Sequence, residues 1–72
     1  MVVLELHSGM QVSKRSVASG ELNTMVLNIT QNQIHDWQGG MLIQNAMPQL
    51  SADEREFLMT GMTPAEWNEM FA

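Results

Sequence analysis

The chain of 72 residues contains no cysteine and no tyrosine, and only three of its residues are basic. Without cysteine, no disulfide can add to the stability of so short a chain. Neither GxxxxGK[ST] nor GxGxxG occurs, so no phosphate-binding loop is predicted. Uncharged stretches are broken by Asn, Gln and Gly before they reach spanning length, and the opening residues lack the basic region of a signal peptide. We therefore expect no membrane segment and a cytoplasmic location.

Acidic residues outnumber basic ones by eight to three, which gives a formal charge of −5 at pH 7. Strong duplex binders neutralise phosphates through roughly six to ten contacts. Only Lys14, Arg15 and Arg55 are available here. The same shortage disfavours binding to an anionic membrane surface. The composition instead keeps the protein soluble and steers it toward basic partners.

The first 29 residues show the alternating pattern of β-strands. Val2 and Leu4 are offset from Val3 and Glu5 in a period of two, which predicts a strand with Leu4 facing inward. A second β-prone run occupies residues 25–30, and residues 8–23 between them are rich in Ser, Gly and basic side chains. We expect a mobile loop over about residues 8–23, weakly extended at 11–13 and ending in a hairpin tip. The two better strands are expected to pair as an antiparallel ribbon.

Residues 30–72 carry three helix starts, each marked by a hydroxyl residue followed three positions later by Gln or Glu. In such a capping box each side chain bonds the backbone N–H of the other residue. Pro64 suits a first helical position, and Gly61 is placed to end the preceding helix. The sequence therefore predicts one small α+β domain over residues 1–72, a short antiparallel β ribbon followed by three or four short α-helices. The three capping pairs are Thr30 with Gln33, Ser51 with Glu54, and Thr63 with Glu66.

Apolar side chains at strand and helix spacing define a predicted core. Ile34 and Trp37 share one helical face, and Trp67, Met70 and Phe71 form a stripe at i, i+3 and i+4. The residues predicted to be buried are Leu4, Leu27, Ile29, Ile34, Trp37, Leu42, Ile43, Leu50, Phe57, Leu58, Trp67 and Phe71.

The helical half resembles a small module that recurs in short proteins of single-stranded DNA microviruses and other phage-derived elements. The resemblance rests on WQG at residues 37–39, LIQNAMP at 42–48, LSADEREFL at 50–58, TGMTPAEW at 60–67 and Phe71, about half of the chain. It implies a phage-type accessory protein and transfers no catalytic or binding residue. The first 23 residues fall outside the pattern.

No constellation of residues indicates catalysis, a metal or a cofactor. His7 and His35 lack the closely spaced partners of a zinc site. The carboxylates of residues 53–56 are explained by the preference of helix starts for negative charge. None of the five serines lies in a Gly-x-Ser-x-Gly elbow. We expect a protein that is not an enzyme and that has no metal site and no cofactor.

A helix-turn-helix over residues 51–71 is the alternative interpretation, because two helices separated by a short turn have the right order. Its second helix would present Glu66, Asn68 and Glu69 and no basic residue. Phosphates would repel that surface. Lys14 and Arg15 on the predicted loop are the basic side chains left to contact nucleic acid.

The favoured interpretation is noncatalytic binding to a host or viral protein. Eight methionines exceed what a small core needs, and exposed methionines adapt to apolar partners. One specific form is an acidic inhibitor that occupies the nucleic-acid-binding site of a basic protein. We also expect a homodimer, because a second copy would support a marginal ribbon and cover leftover apolar surface. The predicted partner-binding residues are Asp53, Glu54, Glu56, Met62, Glu66, Glu69 and Met70.

Overall fold

A computed structural model describes residues 1–71 of the chain. It confirms the α+β prediction, with a three-stranded antiparallel sheet in the order β1-β2-β3 followed by four helices within the described residues. None of these helices is long and apolar enough to cross a membrane. The elements are β1 Val2–Leu6, β2 Gly9–Arg15, β3 Leu22–Leu27, α1 Gln31–Gln38, α2 Ile43–Ala46, α3 Ala52–Thr60 and α4 Pro64–Phe71.

Strand β2 is the centre of the sheet, and it lies where the sequence predicted a mobile loop over residues 8–23. That prediction is wrong for residues 9–15 and 22–23, which belong to β2 and β3, although the extended backbone expected at residues 11–13 is confirmed. Met10 and Val12 are buried, whereas Gln11 and Ser13 alternate with them on the other face. The polar residues that resembled a loop therefore belong to the outward side of a strand. Residues 16–21 form the predicted hairpin tip.

The register of β1 reverses the predicted direction of its side chains. Val3 pairs with Val12 and packs against the core, while Leu4 pairs with Gln11 and is exposed. The prediction that Leu4 faces inward is wrong, because both faces of β1 carry apolar residues and a period of two does not distinguish them.

The core lies on one side of the sheet, on the face that carries Met10 and Val12. Helix α3 contributes Phe57 and Leu58 to this core, and both side chains are fully buried. Burying apolar side chains of this size contributes about 1.5–3 kcal/mol each. The buried cluster comprises Met10, Val12, Leu27, Ile29, Ile34, Ala46, Met47, Leu50, Phe57 and Leu58.

Three residues assigned to the core from sequence lie at the surface in addition to Leu4. Leu42 precedes the single turn of α2 and is exposed, and Phe71 and Trp67 project from α4, which has no buried residue. Trp37 and Ile43 are partly buried against the core. Met10, Val12 and Met62 are buried apolar residues that were not assigned to the core from sequence.

Helices α1 and α3 begin at the predicted capping boxes. Thr30 Oγ1 accepts from the N–H of Gln33 at 3.2 Å, and Gln33 Oε1 accepts from the N–H of Thr30 at 3.0 Å. Ser51 and Glu54 form the same pair of bonds at 3.2 and 2.9 Å. Each box satisfies two backbone donors that a helix start otherwise leaves free.

The carboxyl end of α3 is held against the end of β2. Gly61 ends the helix with a φ of +75°, as the sequence predicted for a helix stop, and a side chain there would meet the backbone of Arg15 and Ser16. Lys14 Nζ donates to the carbonyls of Leu58 at 2.6 Å and Met59 at 3.2 Å. The negative end of the helix dipole also favours a cation at this position.

The close approach at Gly61 is testable against a matched glycine. Gly20 has the same φ of +75°, but a Cβ added to it would have no atom within 4 Å. We expect Gly20→Ala to cost about 1 kcal/mol, from the left-handed backbone alone. Gly61→Ala adds a collision with β2 and should cost about 3 kcal/mol or leave the chain largely unfolded. Urea denaturation followed by circular dichroism measures both, and equal losses would contradict the contact.

Candidate functional site

Helix α4 is attached to the rest of the fold by polar contacts. It follows the three residues 61–63, and its first turn is capped by Thr63 Oγ1, which accepts from the N–H of Glu66 at 3.3 Å. Pro64 occupies the first helical position, where its missing N–H leaves no bond unmade. No residue of α4 is fully buried, and Trp67, with 36% of its surface accessible, is the least exposed of its large apolar side chains.

The carboxylate of Glu66 connects α4 to the tip of the β2–β3 hairpin. Its Oε2 accepts from Ser16 Oγ at 2.7 Å and from Ser19 Oγ at 3.2 Å, and its Oε1 accepts from Asn23 Nδ2. The sequence predicted Glu66 as part of an exposed partner-binding face. The side chain is instead half-buried and already engaged within the fold.

Ser16 is the least exposed member of this cluster, with 3% of its surface accessible. Its hydroxyl donates to Glu66 and accepts from the backbone N–H groups of Ala18 at 3.1 Å and Ser19 at 3.3 Å. Asn23 Nδ2 also donates to the carbonyl of Gly61 at 2.8 Å. The same residues therefore shape the hairpin tip and position the start of α4.

The hydrogen bonds from Ser16 and Asn23 lower the pKa of Glu66 below its ordinary value of 4.5. Each donor favours the ionised carboxylate, and this effect outweighs partial burial, which acts in the opposite direction. The folded state consequently prefers a charged Glu66 more strongly than the unfolded state does.

An apolar stripe beside Glu66 on α4 is exposed to solvent. Trp67, Met70 and Phe71 are all exposed, and their spacing of three and four residues places them on one helical face. The rings of Trp67 and Phe71 pack with their centroids 4.6 Å apart. Aromatic pairing of this kind fixes the direction of both side chains.

A shallow groove of about 300 Å³ separates α4 from the hairpin tip. Glu21, Glu69 and Met70 line it together with Ser19 and Glu66. The groove thus joins the apolar stripe to an acidic border. We define the α4 surface as Trp67, Glu69, Met70, Phe71 and Glu21.

Only some of the predicted partner-binding residues lie together. Glu66, Glu69 and Met70 share the groove, but Asp53 and Glu54 lie in the first turn of α3, about 10 Å along that helix from its end. Glu54 is also occupied by its capping bond. The seven predicted residues therefore do not form one site.

Two more members of the predicted set differ from expectation. Met62 is buried, so its assignment to an exposed apolar patch is wrong. Met62 lies in the short segment between α3 and α4, and its side chain is enclosed by the fold. Glu56 lies on α3 and is half-buried.

Sequence reasoning missed Ser16, Ser19, Asn23 and Glu21. Ser16, Ser19 and Asn23 are hydrogen-bonded to Glu66, which lies 43 to 50 residues further along the chain. No local pattern marks such a contact, because serine and asparagine are equally suited to an ordinary turn. The Thr63 and Glu66 spacing was the available signal, and it indicated a capping role for the glutamate.

Within residues 1–71, no group of three or more His, Asp or Glu side chains is arranged to hold a metal ion. Comparisons with protein-family models, with curated proteins and with solved structures find no match to this chain.

The role of Glu66 predicts a specific dependence of stability on pH. Because its pKa is lowered in the folded state, its contribution is complete above about pH 4.5 and is lost as the pH falls through the lowered folded value. We expect Glu66→Gln to lower the unfolding midpoint at pH 7, and its difference from the unmodified protein to narrow as the pH falls below 4.5. Thermal unfolding measured by circular dichroism between pH 3 and 7 checks this.

Glu69→Gln is the matched control, since it removes an exposed carboxylate from the same helix. Its midpoint should follow that of the unmodified protein at every pH. A constant difference between Glu66→Gln and the unmodified protein down to pH 3 would show that the carboxylate of Glu66 carries no such contribution.

Proposed function

We propose that the protein is a noncatalytic protein-binding module that contacts its partner through the α4 surface. One observation carries the proposal: α4 is attached to the hairpin through Glu66, while the neighbouring Trp67, Met70 and Phe71 remain exposed. An amphipathic helix normally turns its apolar stripe toward the core. Here the contacts of Glu66 hold α4 in an orientation that leaves this stripe exposed.

The exposed side chains are of the types that contribute most at protein interfaces. Tryptophan, phenylalanine and methionine are enriched in the buried centre of interfaces, and residues at i, i+3 and i+4 are the anchors by which a helix binds in a groove. Trp67 and Phe71 are already packed against each other. Less side-chain freedom is therefore lost when a partner covers them.

The charges around the stripe define the partner's chemistry. Glu21 and Glu69 border the groove, and the α4 surface contains no basic residue. A partner that combines an apolar cleft with lysine or arginine at its rim complements this arrangement. In its most specific form the proposal is an acidic inhibitor of a nucleic-acid-binding protein, encoded by a phage or mobile element and acting in the host cytoplasm. The net charge of −5 and the resemblance of the helical half support that form.

The helix-turn-helix alternative receives less support from the geometry. Lys14 Nζ is bonded to carbonyls of α3, and a guanidinium nitrogen of Arg15 donates to the carbonyl of Gly20 at 2.9 Å. Both cations that were candidates for phosphate contacts are therefore engaged within the fold. Nucleic-acid binding through residues 51–71 stays a prediction without a surface that favours it.

A matched pair of methionines tests the α4 surface. Met70 and Met59 are exposed by 55% and 54%, but Met59 lies on α3, outside the α4 surface. Immobilised protein is used to capture partners from host lysate, and quantitative mass spectrometry compares the variants. We expect a basic protein whose affinity falls at least tenfold with Met70→Ala and is unchanged with Met59→Ala.

The binding measurement with that purified partner separates the apolar and acidic contributions. Glu69→Gln should slow association and reduce its dependence on salt, whereas Asp53→Asn, at the distant start of α3, should leave both unchanged. A partner that responds to Met59→Ala and is indifferent to Met70→Ala would place the binding surface elsewhere and overturn the proposal.

A further inference from the structure

The sheet has a second face that no helix covers within the described residues. In the observed register, Leu4, Gln11 and Val26 form one row across the three strands, and Val2, Ser13 and Thr24 form the next. The hydroxyls of Ser13 and Thr24 are 2.8 Å apart, which confirms that these two side chains share a face. We define the outer sheet face by these residues together with Leu6, Arg15 and Leu22, all on the side opposite Met10 and Val12.

The outer sheet face is rich in exposed apolar side chains. Val2, Leu4, Leu6, Leu22 and Val26 each have more than a third of their surface accessible. Antiparallel sheets commonly leave one face exposed to solvent, but the residues on that face are then mostly polar. On the outer sheet face, most side chains of the edge strands β1 and β3 are apolar, and only the central strand β2 presents mainly polar side chains.

The charges of this face differ from those of the molecule as a whole. The chain carries a net charge of −5, yet none of the residues on the outer sheet face is acidic. Its one charged residue, Arg15, is hydrogen-bonded to the carbonyl of Gly20. Two copies can therefore bring these faces together without opposing their carboxylates. Contact through the α4 surface would instead place Glu21 and Glu69 of both copies close together.

We infer that a second copy of this chain covers the outer sheet face, in a twofold dimer of two packed sheets. Sheets of this kind pack about 10 Å apart with their strands aligned within about 30°. Leu4 and Val26, in the row through the middle of the face, lie at the centre of the contact. A twofold axis makes the same residues meet on both sides.

The size of the face sets the strength of this dimer. Three strands of five to seven residues cover about 15 by 20 Å, and the pair of faces buries on the order of 1,000 Å² of accessible surface. Interfaces of this size are at the lower end of those that form specifically. The dimer is accordingly expected to be concentration-dependent. It leaves the α4 surface of each copy free, and it does not rest on the proposed function.

Sedimentation equilibrium of the full chain between about 1 μM and 1 mM tests the inference. The expected weight-average mass rises from 8.1 kDa toward twice that value. Leu4→Lys should raise the dissociation constant at least tenfold, because it places an ammonium group at the centre of an apolar contact. Leu42→Lys is the matched control, since Leu42 is 63% exposed against 56% for Leu4 and lies on the helical side. It changes the net charge equally and should leave the mass curve unchanged.

Three results would overturn the inference: a monomer mass at every concentration, a dimer abolished by Leu42→Lys and retained by Leu4→Lys, or a dimer joined at the free edge of β1. Edge pairing would slow hydrogen exchange of the β1 amides that point away from β2, whereas packing of faces leaves those amides exchanging fast. Circular dichroism verifies that each variant is folded. Val26→Lys, in the same row of the face, gives the same test should Leu4→Lys fail to fold.

Discussion

The carboxylate of Glu66 accepts hydrogen bonds from Ser16 and Ser19 at the tip of the β2–β3 hairpin and from Asn23 in β3, and the orientation of α4 depends on this contact. No residue of α4 is fully buried, and the polar side chain of Glu66 connects the helix to the hairpin. The aromatic pair Trp67 and Phe71 is consequently left on the solvent side. A charged group bonded to several donors is a directional attachment, unlike a buried apolar face. The proposed binding surface exists because this attachment leaves the neighbouring apolar stripe exposed.

The small size of the chain accounts for the other exposed apolar surface. The four helices of the described residues follow the sheet in sequence, and the core they form lies on the face of β2 that carries Met10 and Val12. None of these elements covers the other face, on which Leu4 and Val26 lie. Small domains bury a smaller share of their surface than large ones. The two exposed surfaces differ in charge, since the α4 surface has an acidic border and the outer sheet face has no carboxylate. They are therefore suited to different partners, a basic protein and a second copy of the chain.

The features that could be predicted from sequence are those that depend on near neighbours. The capping boxes at Thr30 and Ser51 and the helix stop at Gly61 involve residues within one helical turn, and the structure confirms them. Strand β2 was predicted only as a weakly extended stretch at residues 11–13, because its two inward residues alternate with polar ones, and the direction of Leu4 depends on pairing across strands. The site was predictable only in part. Glu69 and Met70 lie where the helical pattern placed them, but the contact of Glu66 with Ser16 joins residues 50 positions apart and has no local signature.

A double-mutant cycle between Ser16 and Glu66 tests the central claim most directly, because it isolates the interaction between the hairpin tip and α4 from the other effects of each substitution. Urea denaturation at pH 7 is measured for the unmodified protein, Ser16→Ala, Glu66→Gln and the double variant. The account predicts strong non-additivity: in the presence of Glu66→Gln, the further change Ser16→Ala should lower stability much less than it does alone. Additive losses would show that Ser16 and Glu66 act independently, and that the contact does not hold α4 in its orientation.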